Sequence, residues 1–214
     1  MEIPKSGVRT GADGVTRCWW CLGDALYESY HDEEWGRPVR DDHILFEKIC
    51  LEGFQSGLSW LTILRKRENF RKAFKSFDLA SVARFNSRSV ERLLQDAGIV
   101  RHRGKIESTI NNARRCIELV DEFGSVASYA WSYEPDGSSR PARLDWPTLA
   151  TITTSPEAIA MSKDLKRRGW SFVGPTTVYA FMEAVGLVND HVISCELRED
   201  VEAERVVFRR PNAR

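Results

Sequence analysis

No apolar run in these 214 residues approaches the ~20 needed to cross a bilayer as a helix, so no membrane partner is expected. The opening residues, MEIPKSGVRTGADG, lack the apolar stretch of a secretory signal, and a cytoplasmic location is expected. Net charge is missing too: 31 basic residues balance 31 acidic ones. That excludes a chain that binds polyanions by charge alone, yet leaves room for a local basic face. Strand signals are few and no internal repeat is evident, so the chain is expected to be mainly α. Cysteine is scarce, with five residues. In a cytoplasmic chain these are expected to be reduced, buried or metal-bound rather than disulfide-paired.

What is present is helical periodicity. Residues 1–16 read as a mobile polar leader. Aromatic density follows in RCWWCLGDALYESYHDEEWG, where Asp24 can cap a short helix and Tyr27, Tyr30 and His31 share one face. Helices are expected over 41–54, 59–74, 87–95 (stopped near Gly98) and 105–121. In the last, Ile106, Ile110, Ala113, Ile117 and Val120 recur at spacings of four and three. Residues 134–147, EPDGSSRPARLDWP, form the one long proline- and serine-rich loop, an insertion or a lid. Ser155-Pro156-Glu157 starts a helix that ends at Gly169, and Gly174-Pro175 turns the chain into the next.

The stretch Leu51–Trp60, LEGFQSGLSW, carries one carboxylate, Glu52, at the edge of the apolar stripe Leu45, Phe46, Ile49, Cys50. By residue type alone it is an ordinary solvated glutamate. Beside two glycines and an indole it could instead be a pocket wall. Leu58 by itself is an ordinary core leucine.

His191 and Cys195 stand four apart, so both side chains are expected to leave one helix face. With Cys18 and His31 they make two sulfurs and two imidazoles, a closed tetrahedral set suited to structural zinc. Four unrelated buried residues are the plainer account, Cys21 is a rival ligand, and a histidine–cysteine nucleophile pair is a further alternative.

The run Cys18 … YESYHDEEWG … ICLEGFQSGLSW … DAGIVRHRGKI … FVGPTTVYAFMEAVGLVNDHVISC resembles the DNA-3-methyladenine glycosylase I family over about residues 17–195. The resemblance implies a helix-hairpin-helix glycosylase-like helical fold, with a structural zinc site (Zn2+ on Cys18, His31, His191 and Cys195) joining the N- and C-terminal segments. It also decides against Cys21. It implies a glycosylase domain over 17–196, followed by a charged tail over 197–214. The implied activity is hydrolytic excision of cationic 3-methyladenine from double-stranded alkylated DNA by a monomer that extrudes the base. Glu52 would be the catalytic carboxylate, with Trp20, Tyr27, Tyr30 and Trp60 around the base. Leu58 would be a wedge, and Gly174 and Thr176 would hold a phosphate through backbone amides. Arg101, Arg103, Lys105, Lys166, Arg167 and Arg168 are the candidate basic face. Thr176 stands where lyase relatives carry lysine, so no strand cleavage is expected. Asn189, or Asp190 if the loop slips by one residue, stands where strongly hydrolytic relatives carry aspartate. A non-catalytic binder of damaged DNA and a zinc-stapled interaction domain are the rival classes.

Overall fold

The computed structural model describes residues 3–211. Among them, two short strands precede eleven α-helices: β1 (Val8–Thr10), β2 (Thr16–Cys18), α1 (Ala25–Glu33), α2 (Asp42–Gln55), α3 (Trp60–Ala73), α4 (Leu79–Ala83), α5 (Ser87–Leu94), α6 (Arg103–Phe123), α7 (Val126–Trp131), α8 (Trp146–Leu149), α9 (Pro156–Arg167), α10 (Pro175–Ala184) and α11 (Leu197–Val207). The mainly helical expectation holds.

The organising element is α2. Every residue from Leu45 to Phe54 is buried, because α3, α6, α7 and α10 all pack on it. A helix covered on all sides has no solvated face to lend its charged residues. Glu47, Lys48 and Glu52 are therefore buried with it. Asp41 caps the start, accepting from Ile44 N–H at 3.0 Å. At the other end Gly57, at φ +79°, turns the chain, and Ser59 caps α3 by accepting from Thr62 N–H at 3.2 Å.

Several local expectations change. On α6 the inward stripe runs through Ile106, Ile110, Ala113, Cys116 and Leu119, whereas Ile117 is exposed. Two faces of a long helix can both carry isoleucine, and packing against α4, α5 and α7 chooses between them. Helix α5 ends at Leu94, before Gly98. The leader is built onto the body: β1 pairs antiparallel with β2, Val8 opposite Cys18. The tail forms α11, which buries Val201 and donates from Arg198 to the His191 carbonyl at 2.5 Å. The 134–147 loop is pinned rather than lid-like. Its Arg140 bonds Asp190 and the Tyr179 hydroxyl, and its Leu144 carbonyl accepts from Ile193 N–H at 2.9 Å.

Candidate active site

The structure brings Glu52, Trp20, Tyr27, Tyr30 and Trp60 to one cavity of about 210 Å³. Tyr27 and Tyr30 come from one face of α1, Glu52 and Gln55 from α2, Trp60 from the start of α3, and Ala180 and Glu183 from α10. Trp35 completes the wall. The rings brace one another: Trp20 and Tyr27 centroids are 4.9 Å apart, and Tyr30 and Trp60 5.3 Å. The Trp60 indole N–H is buried without a hydrogen-bond partner among the described residues, a donor left for an occupant.

Glu52 is 5% exposed. Burial pushes its carboxyl up to about 8, against a smaller opposing pull from Lys48 one helical turn earlier. Lys48 is itself buried and engaged elsewhere, with Nζ 2.9 Å from Glu34 and 4.6 Å above the Tyr30 ring. Glu52 thus has no close ion-pair partner in the cavity. A carboxyl raised in the folded state stabilises the fold below its ordinary value, and that contribution is lost as pH rises towards about 8. Glu52→Gln is therefore expected to melt higher than the parent protein above pH 8, with the difference vanishing near pH 4. Melting curves across that range check this.

A second hollow of about 200 Å³ opens beside the first and shares Glu52, Gln55 and Ala180 with it. Its rim is Ser56, Gly57 and Leu58 on one side and Thr176 and Thr177 on the other. Leu58, 42% exposed, stands at this mouth and is no core leucine. Gly174 caps α10 and Pro175 occupies its first turn, so Thr176 and Thr177 present the first amides there.

Lys105 departs from expectation. It is buried, and Nζ donates to the Phe54 and Ser56 carbonyls at 2.9 and 2.5 Å. It closes the C-terminal end of α2 and sets the Leu58 loop rather than facing solvent. Arg101 and Lys166 are exposed. Arg103 pairs with Glu91, Arg167 with Asp164, and Arg168 with Glu122 and Asp164. Neither Asn189 nor Asp190 lines the cavity. Asn189 bonds the His191 ring at 2.9 Å and Asp190 accepts from Tyr179 at 2.6 Å.

Behind the aromatic wall the side-chain ligand atoms of Cys18, His31 and Cys195 lie within 4.8 Å of one another, all buried. The His191 ring is 4.8 Å from that of His31, and its Nε2 is buried without a partner. Burial holds His191 down to about 3, in the neutral form that binds metals. The other ring nitrogens are oriented, His31 by Asp32 at 2.8 Å and His191 by Asn189. Gly36 permits this packing, since a Cβ there would sit 2.9 Å from the His191 ring. Cys21 instead donates to the Cys18 carbonyl at 3.1 Å. His191 and Cys195 are not on a helix: the segment is a turn closed by Cys195 N–H to the Val192 carbonyl at 2.7 Å. Cys18, His31 and Cys195 have the donor chemistry and spacing to hold a metal ion, with the His191 ring beside them.

A model of the methyladenine glycosylase family matches residues 20–199. The chain belongs to the methyladenine glycosylase family. Within that family it is 50% identical to DNA-3-methyladenine glycosylase 1 of Escherichia coli (strain K12) over 182 residues, covering 85% of this chain and 96% of that one. It is 42% identical to DNA-3-methyladenine glycosylase of Haemophilus influenzae (strain ATCC 51907 / DSM 11121 / KW20 / Rd) over 182 residues, 85% and 97% of the two chains. A solved structure of 3-methyladenine DNA glycosylase I from Staphylococcus aureus, concerned with 3-methyladenine recognition, superposes with a TM-score of 0.78 at 36% identity. That likeness covers 85% of this chain and 96% of the S. aureus one. The cavity and the mouth lie within the matched residues, as do His31, His191 and Cys195 of the metal-type cluster, whereas Cys18 lies just before them. Lys48, Trp35 and Glu183 were missed in the sequence. Lys48 and Glu183 had a signal: each is a charge inside an apolar helical run.

Proposed function

We propose that the chain is a DNA repair glycosylase that extrudes and excises 3-methyladenine from alkylated duplex DNA. The observation that carries it is a carboxyl buried among aromatic rings and open towards a leucine-tipped mouth. Methylation at N3 makes adenine cationic. Ring faces attract a desolvated cation by roughly 2 kcal/mol, and Glu52 supplies the opposite charge. The entering cation pulls Glu52 back towards its ionised form, so the carboxylate exists when it is needed. It accepts from the adenine amino edge, where guanine would offer an opposing acceptor.

The chemistry asks little of the protein. When the C1′–N9 bond breaks, its electrons neutralise the base. Water then adds to C1′ and loses its proton to solvent. Thr176 stands where a Schiff-base lysine is required, and Lys105, whose Nζ reaches the rim residue Ser56, is held by the Phe54 and Ser56 carbonyls, so the strand stays intact. The α9–α10 pair is read as the helix-hairpin-helix, holding a phosphate with the amides after Pro175. Arg101, Arg103, Lys166 and Arg167 are exposed cations offered to that face, Arg103 and Arg167 while also ion-paired. The Cys18, His31, His191, Cys195 set is assigned to one structural zinc ion, which ties strand, helix and turn together behind the base site.

The test is product analysis on methylated duplex DNA. Release of free 3-methyladenine with intact strands is expected, whereas tight binding without release would make the chain a damage binder. Leu58→Ala is expected to slow release by about tenfold with the melting temperature unchanged, because an exposed side chain contributes to holding the gap, not the fold. Single-turnover rates beside melting curves check it.

A further inference from the structure

Helix α10 buries Val178, Phe181, Met182 and Ala184, an apolar packed face. Glu183 breaks that pattern and lines the base cavity with Glu52. Two carboxyls in one small cavity are costly to keep, because burial and like charge both oppose ionisation. Burial pushes Glu183 up, and the charges of Asp190 and Glu52 push it further. Asp190 is fixed by its pairing with Arg140 and by the Tyr179 hydroxyl at 2.6 Å. These influences, with a hydrogen bond to Asp190, favour the protonated form of Glu183, and a protonated carboxyl that donates through its O–H has its carbonyl oxygen left as an acceptor.

Position along α10 says what that oxygen meets. Thr176 and Thr177 stand at the mouth, Ala180 is shared by mouth and cavity, and Glu183 belongs to the cavity alone. Successive turns of one helix thus run from the mouth inward to the cavity, with Glu183 at the inner end.

We propose that Glu183 is a specificity-determining residue, the second acceptor for the amino group of the extruded base. This rests on the base-excision reading above. An adenine amino group carries two hydrogens; Glu52 accepts one and Glu183 the other. Asp190 and Arg140 act as positioning residues that hold Glu183 in this orientation. A guanine oxygen in the same place would face two acceptors, so the pair discriminates more sharply than either alone.

The experiment compares Glu183→Leu and Glu183→Gln with the parent protein on one preparation of methylated duplex DNA. Released 3-methyladenine and 3-methylguanine are quantified together, beside melting temperature and affinity for unmethylated DNA. The leucine variant is expected to release 3-methyladenine about tenfold more slowly, and its ratio of 3-methyladenine to 3-methylguanine is expected to fall. The glutamine variant, whose amide can donate to Asp190 and accept in the cavity, is expected to restore rate and ratio to within about threefold. An unchanged ratio in the leucine variant overturns the proposal, even with both rates lowered, because damage to the fold slows both bases alike. A glutamine variant as impaired as the leucine one also overturns it. Parent protein that releases no 3-methyladenine defeats the excision reading itself. An active parent, a slow Glu52→Gln and an unchanged leucine ratio defeat this inference alone.

Discussion

Glu52→Gln is expected to release 3-methyladenine about 100-fold more slowly, which corresponds to losing a charge-assisted hydrogen bond worth up to about 3 kcal/mol. The loss falls on the extruded state. Glutamine has nearly the same shape and leaves the Leu58 mouth and the α10 amides untouched. Affinity for unmethylated duplex should therefore stay within about twofold of the parent. The free variant should also be the more stable protein at alkaline pH, since a buried carboxyl held up to about 8 costs stability once it ionises. Lower activity with higher stability marks a group retained for function. Single-turnover release, duplex titration and melting curves together decide the matter. Unaltered release would remove Glu52 from the mechanism, and a fall in both release and melting temperature would reduce it to a packing residue.

The cavity was legible in the sequence because its parts sit on elements with strong periodicity. Tyr27 and Tyr30 are three apart on a capped helix, and Glu52 and Trp60 flank one glycine-marked turn. Burial of Glu52 was not legible from residue type. It follows from α2 being covered on every side, a property of the assembly rather than of the helix's own pattern. The same cause hid Lys48, whereas Glu183, half-buried on α10, was hidden because the cavity it lines is built from other helices. A charge within an apolar run signals something, but the partner that explains it lies on another element. Lys105 misled in the opposite direction: a lysine in a basic stretch reads as a surface cation. Only the fold shows that the carbonyls ending α2 lie within its reach. His191 and Cys195 illustrate a degeneracy of spacing, since a gap of four suits a helix face and also a turn closing on itself. The donors converge either way. The leader reads as mobile because its contacts are long-range, as the tail's are: Thr16 N–H donates to Glu196 at 3.1 Å, and Arg205 pairs with Glu134 at 3.0 Å.

Cys195→Ser is expected to give a protein that carries almost no zinc and melts on the order of 10 °C lower, where the parent carries one equivalent. Cys18 on β2 and Cys195 after the last turn of the shared body are almost at opposite ends of the chain. A bond between them closes nearly the whole polypeptide, for which chain entropy alone suggests about 4–5 kcal/mol. The cluster has few other means of holding. Its own packing is the small group Cys18, Val192 and Cys195, with partly buried neighbours that include Trp20 and Trp35. Those two indoles also wall the base cavity, so a loosened cluster should impair base release by the parent's route even where the helices persist. The prediction thus has two independent readouts, metal content and melting temperature, and one dependent one, activity. Cys21→Ser is the control. It removes a buried thiol of the same segment whose hydrogen bond goes to the Cys18 carbonyl, so metal content should not change. Parent protein that holds no metal, and that melts at the same temperature before and after chelation, would turn the four residues back into ordinary core. The stability of the N-terminal segment would then have to come from the β1–β2 pair, the Arg17–Asp32 ion pair, the Thr16–Glu196 hydrogen bond and the apolar packing around Cys18.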